Sequence, residues 1–200
     1  MLTHEWIASR VEGSKKLMVV LHGLGDSMEG YRFLPEALNM PSMSYVLVNA
    51  PEAYYDGFSW YDYFTDPAPG VLRSRGLLHE LLDECESKGY PGAETVLFGF
   101  SQGCLMTLDV GLRRAEPLAG LIGISGHVFE PETLVSELSE AAKTRPVLMT
   151  HGTVDTVIPI EKVRPQVALL KAAKLALEWR EFEKPHTIAG ENELRFIRDF

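Results

Sequence analysis

Apolar residues recur along this chain in short runs separated by amphipathic stretches. Leu17-Met-Val-Val-Leu21 is a β-branched-rich run of buried-strand type, stopped by Gly23 and Gly25. Tyr45-Val-Leu-Val-Asn49 is a second such run, ended by Pro51. Thr95–Phe100, Leu118–Ser125, Pro146–Thr150 and Leu177–Phe182 supply four more. Between them, apolar residues fall three and four apart, the helical spacing. Leu77, Leu78, Leu81, Leu82 and Cys85 predict one helix, Leu105, Met106, Leu108 and Leu112 another, and Leu134, Leu138 and Ala141 a third. Ile160–Leu175 reads as helix too, with Pro165 implying a late start or a kink. Leu194, Phe196, Ile197 and Phe200 carry the helical pattern to the last residue. Alternating strands and helices, with strands apolar on both faces, predict an α/β fold: a mostly parallel sheet covered by helices on both sides. No repeat, low-complexity tract or linker interrupts the alternation, so one domain over residues 1–200 is expected.

Two stretches break the pattern. Residues 51–70 have no regular period, yet hold Tyr54, Tyr55, Phe58, Trp60, Tyr61, Tyr63 and Phe64. A long irregular connection in a compact domain is usually functional. Here it either folds over the sheet as a small core of its own or lines a pocket, and aromatic loops commonly do both. The other stretch is Lys184-Pro-His-Thr-Ile-Ala-Gly190, after the last predicted strand.

Composition narrows the function. At 46% apolar and 24% charged residues the chain has the make-up of a soluble globular protein. A net charge of −9 without a basic stripe argues against nucleic acid and against stable association with an anionic membrane. No apolar run approaches the roughly 18 residues of a membrane span. Met1–Trp6 has neither the basic nor the apolar region of a signal peptide, so a cytoplasmic location is expected. Cys85 and Cys104 form no disulfide framework and no metal-ligand spacing, and neither metal nor cofactor is expected.

The chemistry starts at Gly99-Phe-Ser101-Gln-Gly103, a G-x-S-x-G segment that follows a predicted strand and opens a predicted helix. That context is the nucleophile elbow, a strained turn that lifts the serine above the sheet edge, with glycines where strand and helix backbones crowd together. A serine hydroxyl needs a base, and the base needs an acid to orient it. Of six histidines, His4 and His79 read as surface residues, while His22 and His151 end strands just before a glycine and suit loop stabilisation. His127 follows a strand and can face the site, but it precedes any expected acid. His186 lies on the loop after the last strand, at the carboxyl edge where such sites assemble. Asp155 falls between nucleophile and base, in the order Ser…Asp…His. The lesser alternative for Asp155 is a turn or helix-cap residue before Pro159. Two amides must receive the oxyanion, and those of Gln102, after the nucleophile, and Leu24, in the turn Leu21-His-Gly-Leu-Gly-Asp26, are the candidates. Since both would act through backbone, their side chains are expected to matter less than that of Ser101.

Together, Leu21–Asp26, Gly99–Gly103, Ser125-Gly126, His151-Gly-Thr-Val-Asp155 with Ile158-Pro159, and His186 resemble the phospholipase/carboxylesterase family of α/β-hydrolases, which includes the acyl-protein thioesterases. The resemblance implies a serine esterase or thioesterase with no metal or cofactor. Carried over, its catalytic residues fall on Ser101, Asp155 and His186, and its oxyanion hole on Leu24 and Gln102. Trp60-Tyr61-Asp62 looks like the family's W-[FY]-D segment beside the acyl pocket, which makes Trp60, Tyr61, Phe58 and His127 the expected substrate contacts. Pro185 stands where the family usually has glycine, a change expected to stiffen or shift the histidine loop. Cys104 is expected to be buried rather than reactive. The short stretch Gly126–Pro131 leaves no room for a cap domain. The expected partner is a small ester or thioester with a short to medium apolar acyl chain, acted on by a monomer or homodimer. Amide or C–C hydrolysis, acyl transfer on the same residues, and a silent binding protein of the same fold are the alternatives.

Overall fold

The computed structural model describes residues 1–200. In chain order its elements are β1 (His4–Ile7), β2 (Lys16–Leu21), α1 (Leu34–Leu38), β3 (Met43–Val48), β4 (Glu52–Tyr54), β5 (Gly57–Ser59), α2 (Ala68–Ser87), β6 (Thr95–Phe100), α3 (Gln102–Arg113), β7 (Gly120–Ile124), α4 (Pro131–Ser136), β8 (Val147–Gly152), α5 (Ile160–Ala172), β9 (Leu177–Phe182) and α6 (Gly190–Asp199). Seven strands form one sheet in the order β1-β3-β2-β6-β7-β8-β9. Every neighbouring pair is parallel except β1 with β3. This is an α/β-hydrolase sheet. The six strands legible as apolar runs are its parallel strands.

Side chains alternate between two cores, as strand geometry requires. In β2, Leu17, Val19 and Leu21 join the larger core, which the buried faces of α2, α3, α4 and α5 complete. Met18 and Val20 point the other way and pack with α1 and α6. Between β2 and β6 the chain reverses its direction of travel across the sheet, having first gone outward to β3. The loops leaving the carboxyl ends of these two strands therefore diverge and open a crevice, the position where α/β sheets bind ligands.

Several elements differ from expectation. β1 is a half-buried edge strand whose sequence, His-Glu-Trp-Ile, holds too few apolar residues to register as a run. Residues 51–70 contain the β4–β5 hairpin, and α2 already begins at Ala68. The helix expected over Leu134–Ala141 is split: α4 stops at Ser136 and a 3₁₀ turn covers Glu140–Lys143. Ser139 causes the break, because its hydroxyl accepts from the Ala142 amide and donates to the Arg114 carbonyl, bonds that compete with a continuing helix. α5 starts directly after Pro159 and accommodates Pro165 inside it, forgoing one backbone bond. Residues 125–130 link β7 to α4 with no inserted cap.

The tightest backbone contacts lie where β6 turns into α3. A Cβ at Gly99 would overlap the carbonyl of Gly103, and a Cβ at Gly103 would overlap that of Leu21 in β2. Both obstacles are backbone, so neither can rotate aside. Gly99→Ala is therefore expected to lower stability by about 3 kcal/mol or more, beyond ordinary overpacking, as read from urea unfolding followed by circular dichroism.

Candidate active site

Ser101 sits between β6 and α3 with φ 53° and ψ −115°, a strained conformation for a side-chain-bearing residue. Its amide donates to the Ile124 carbonyl at 2.9 Å, which ties the turn to β7. The Gly99–Gly103 contact holds the turn from the other side. The result is a half-buried hydroxyl above the sheet edge, at the start of a helix whose dipole favours negative charge there.

His186 reaches Ser101 from the loop between β9 and α6. Its Nε2 lies 2.9 Å from Ser101 Oγ, and its Nδ1 lies 2.7 Å from Asp155 Oδ2. A carboxylate can only accept, so Nδ1 carries the proton and Nε2 is left to accept from the serine hydroxyl. Asp155 Oδ1 accepts from the amides of Val157 and Ile158, both at 2.9 Å. Asp155 thus also organises its own turn, and the two roles suggested by its sequence position use different oxygens. Burial pushes this carboxyl upward, but the Ile158 amide, His186 and the Val157 amide together hold it below the usual carboxylate range.

The other histidines do different work. His22 Nδ1 donates to the Gly23 carbonyl at 2.6 Å, and its Nε2 accepts from the Ala50 amide at 3.0 Å. Burial lowers its pKa, consistent with a neutral ring. His151, fully buried, donates from Nε2 to the Ile158 carbonyl at 2.8 Å and braces the Asp155 turn. Burial lowers its pKa as well. His4 and His79 are half-buried rather than free on the surface.

The loop carrying Leu24 is held by the β4–β5 hairpin. Gly25 N–H donates to the Phe58 carbonyl and Phe58 N–H to the Asp26 carbonyl, both at 2.9 Å. Phe58 and Trp60 do not line the cavity beside Ser101, contrary to expectation. Phe58 is committed to this backbone pairing, with its ring packed against the larger core. Trp60 is fully buried, and its indole donates to the His22 carbonyl at 2.9 Å. The Gln102 side chain is buried and fully engaged. Its Oε1 accepts from Trp60 N–H at 2.9 Å and Ser59 Oγ at 3.3 Å, while its Nε2 donates to the Tyr61 carbonyl at 3.0 Å. The amides of Leu24 and Gln102 themselves donate to no carbonyl of the chain.

A cavity of about 250 Å³ opens on Ser101, with Leu24, Gln102, Tyr61 and His127 in its wall. Phe100, Tyr63, Val157 and Ile158 complete the apolar lining and were not anticipated. Their signal was adjacency, since Phe100 precedes the proposed nucleophile and Val157 and Ile158 follow the proposed acid. His127 is half-buried, and burial followed by the neighbouring His151 lowers its pKa. Cys104 is fully buried beneath Gly126, and burial pushes its thiol up to about 12, so it is no reactive thiolate. No group of three or more His, Cys, Asp or Glu side chains converges as a metal-ligand set.

With Pro185 before it, His186 still bonds both Ser101 and Asp155. His186 is the centre of a tight turn in which Thr187 N–H donates to the Pro185 carbonyl at 2.8 Å. Below it, the buried Lys184 ammonium meets Glu193 of α6 at 2.6 and 2.7 Å. Glu193 also accepts from the Ala189 amide at 2.6 Å and from the Thr150 hydroxyl. This one carboxylate joins both ends of the loop to the sheet and to α6. Burial pushes the Lys184 ammonium down, and Glu193 opposes the shift.

The chain matches the family model described as Phospholipase/Carboxylesterase over residues 2–200. It is 36% identical to acyl-protein thioesterase 1 of Schizosaccharomyces pombe across 71% of this chain and 69% of that protein. The acyl-protein thioesterase 1 of Yarrowia lipolytica is 30% identical, across 83% and 82%. Among solved structures, esterase PE8 superposes with a TM-score of 0.89 at 28% identity, covering 100% of this chain and 97% of that one. A phospholipase/carboxylesterase from Dyadobacter fermentans does so at 0.83 and 26%, covering 100% and 95%.

The Lys184–Glu193 pair gives a stability test. Lys184→Met strands a buried carboxylate and is expected to cost about 3–5 kcal/mol. In the double variant with Glu193→Gln no buried charge remains, the amide oxygen can accept from Ala189 N–H and the amide NH2 can donate to the Thr150 hydroxyl oxygen, so denaturant titration at neutral pH should recover most of that loss.

Proposed function

The chain belongs to the phospholipase/carboxylesterase family, and from that premise we propose that it hydrolyses carboxylic esters or thioesters of short to medium apolar acyl chains through an acyl-enzyme on Ser101, within one catalytic domain spanning residues 1–200. The observation that carries this reading is the hydrogen-bonded series from Ser101 Oγ through His186 to Asp155, at 2.9 and 2.7 Å.

In the first half-reaction His186 Nε2 takes the proton of Ser101 as Oγ attacks the substrate carbonyl. Asp155 keeps the imidazole in the tautomer that can accept this proton and stabilises the imidazolium that forms. Hydrogen bonds from Val157 and Ile158 keep Asp155 ionised and oriented for that task. The oxyanion is received by the Leu24 and Gln102 amides, which have no competing acceptor in the backbone. Such donors typically contribute ~3–4 kcal/mol each to the transition state. The imidazolium then protonates the departing alcohol or thiol. Water, activated by the same histidine, hydrolyses the acyl-enzyme.

Tyr61, Tyr63, Phe100, Val157 and Ile158 supply an apolar wall for the acyl chain, and the cavity volume of about 250 Å³ supports a short to medium chain. Trp60 and Phe58 support the reaction indirectly, by fixing the loop on which Leu24 sits. No helix of the chain is long and apolar enough to cross a membrane.

Ser101→Ala is expected to lower hydrolysis of a short p-nitrophenyl ester by roughly 10⁴–10⁶-fold. The same variant should lose labelling by a fluorophosphonate while its circular dichroism spectrum is unchanged. Labelling that survives the substitution would put the nucleophile elsewhere.

A further inference from the structure

A second cavity, of about 340 Å³, also borders His186 and is lined beyond it by Thr187, Ile188 and Leu194. The two share Asp26, Phe100 and His186, so the site is one cleft divided by a ridge. That ridge is the Phe100 and His186 ring pair, whose centroids lie 5.0 Å apart. The second lobe is walled by Tyr31, Phe33, Ile188 and Leu194 as well as Phe100, with the exposed Asp26 carboxylate as its one charged side chain. Neither lobe is lined by lysine or arginine.

We propose that this second lobe is the leaving-group subsite, and that it takes an apolar alcohol or thiol without negative charge, best when that group carries a cation. The inference rests on the Ser101 reading above and follows from how the proton must travel. Once Oγ has bonded to the carbonyl carbon, the carbon–heteroatom bond breaks and its electron pair leaves with the heteroatom. That atom takes the proton which His186 Nε2 received from Ser101, and it departs as the neutral alcohol or thiol. The heteroatom must therefore sit against His186, with its substituent beyond the ring. The carbonyl oxygen is meanwhile committed to Leu24 and Gln102, which line only the first lobe. The acyl chain keeps the first lobe and the leaving group enters the second.

Charge sets the chemistry of what enters. The Asp26 carboxylate lies over Gly30, close enough that a Cβ there would overlap its oxygen. One of its oxygens also accepts from Ser27 N–H at 2.8 Å. No cation lines the lobe to offset it, and the whole chain carries a net charge of −9. An anionic leaving group meets an uncompensated carboxylate. A cationic one gains from it.

The test uses butyrate esters of three alcohols of nearly equal shape: choline, its neutral dimethylbutyl carbon analogue, and the anionic hydroxyethanesulfonate. Each kcat/KM is normalised to that ester's own hydroxide-catalysed hydrolysis. The expected order is cation, neutral, anion, with roughly tenfold between the extremes at low ionic strength and a smaller spread in high salt. Asp26→Asn, which keeps the acceptor for Ser27, should collapse most of that spread. The salt series on the unaltered protein reads the same charge should this variant fold poorly. Phe33→Ala, at a half-exposed position, should lower the acylation rate for the neutral and cationic esters. All three substrates form the same butyryl-enzyme, so deacylation should not change. An anionic ester cleaved as well as the cationic one, a spread that survives Asp26→Asn, or a Phe33→Ala effect on deacylation or acyl-length preference would overturn the assignment. If a fluorophosphonate leaves no adduct on the Ser101 peptide, the nucleophile reading fails first and this inference falls with it.

Discussion

Everything at the site depends on how closely three pieces of backbone approach one another. Gly99 at the end of β6, Gly103 in the first turn of α3, and the Leu21 carbonyl at the end of β2 leave no space for a Cβ between them. Because helix and strand are pressed together, the residue joining them must take a positive φ, and its side chain has no direction open except out over the sheet edge. The strain at Ser101, of order 1–3 kcal/mol, is held by the cores on either side of the sheet. The contact also fixes what surrounds the serine. It places Gln102 at the first turn of α3 with its amide unpaired, and sets the end of β2, with the loop that carries Leu24, beside it.

The hydrogen bonds around this point form a connected set. Gln102 grips Ser59, Trp60 and Tyr61, Trp60 holds the His22 carbonyl, and the hairpin edge at Phe58 pairs with Gly25 and Asp26. A buried amide side chain is tolerable only when its groups are satisfied, and here both ends are. On the opposite rim, His151 and the amides of Val157 and Ile158 fix Asp155, and Glu193 fixes the histidine loop. Ser101, His186 and Asp155 are thus aligned by hydrogen bonds from residues on both rims of the crevice.

What the sequence conveyed and what it withheld follow one physical division. Fully buried parallel strands must be apolar on both faces, so β2, β3, β6, β7, β8 and β9 stood out as runs. The Gly-x-Ser-x-Gly segment and the Ser…Asp…His order were equally legible, because each depends on residue type and local turn geometry. β1 escaped notice because an edge strand with a half-wet face needs no apolar run. The split of the helix after α4 turned on a single hydroxyl, that of Ser139. Trp60 and Phe58 mark where that legibility ends. Aromatic density singles out residues 51–70, two of whose rings line the cavity, but composition cannot tell which ring faces a cavity and which is buried beneath it. Tyr61 faces the cavity and Trp60, its neighbour, does not, and only the three-dimensional path of the hairpin separates them. Lys184 and Glu193 gave no signal at all, since two charged residues nine positions apart in a loop and a helix look like ordinary surface.

The grip of Gln102 on the hairpin has a consequence for remodelling this protein. The loop beside the cavity at Ser101 and the residue after the proposed nucleophile form a single hydrogen-bonded unit, although more than 40 positions separate them in sequence. A hairpin whose backbone takes another path at Trp60 and Tyr61, or one moved into a chain without the glutamine, would arrive without a clasp. Loop exchange in this scaffold is therefore a matter of moving matched pairs. The segments to recombine are set by hydrogen-bond partnership across the crevice and not by contiguity along the chain.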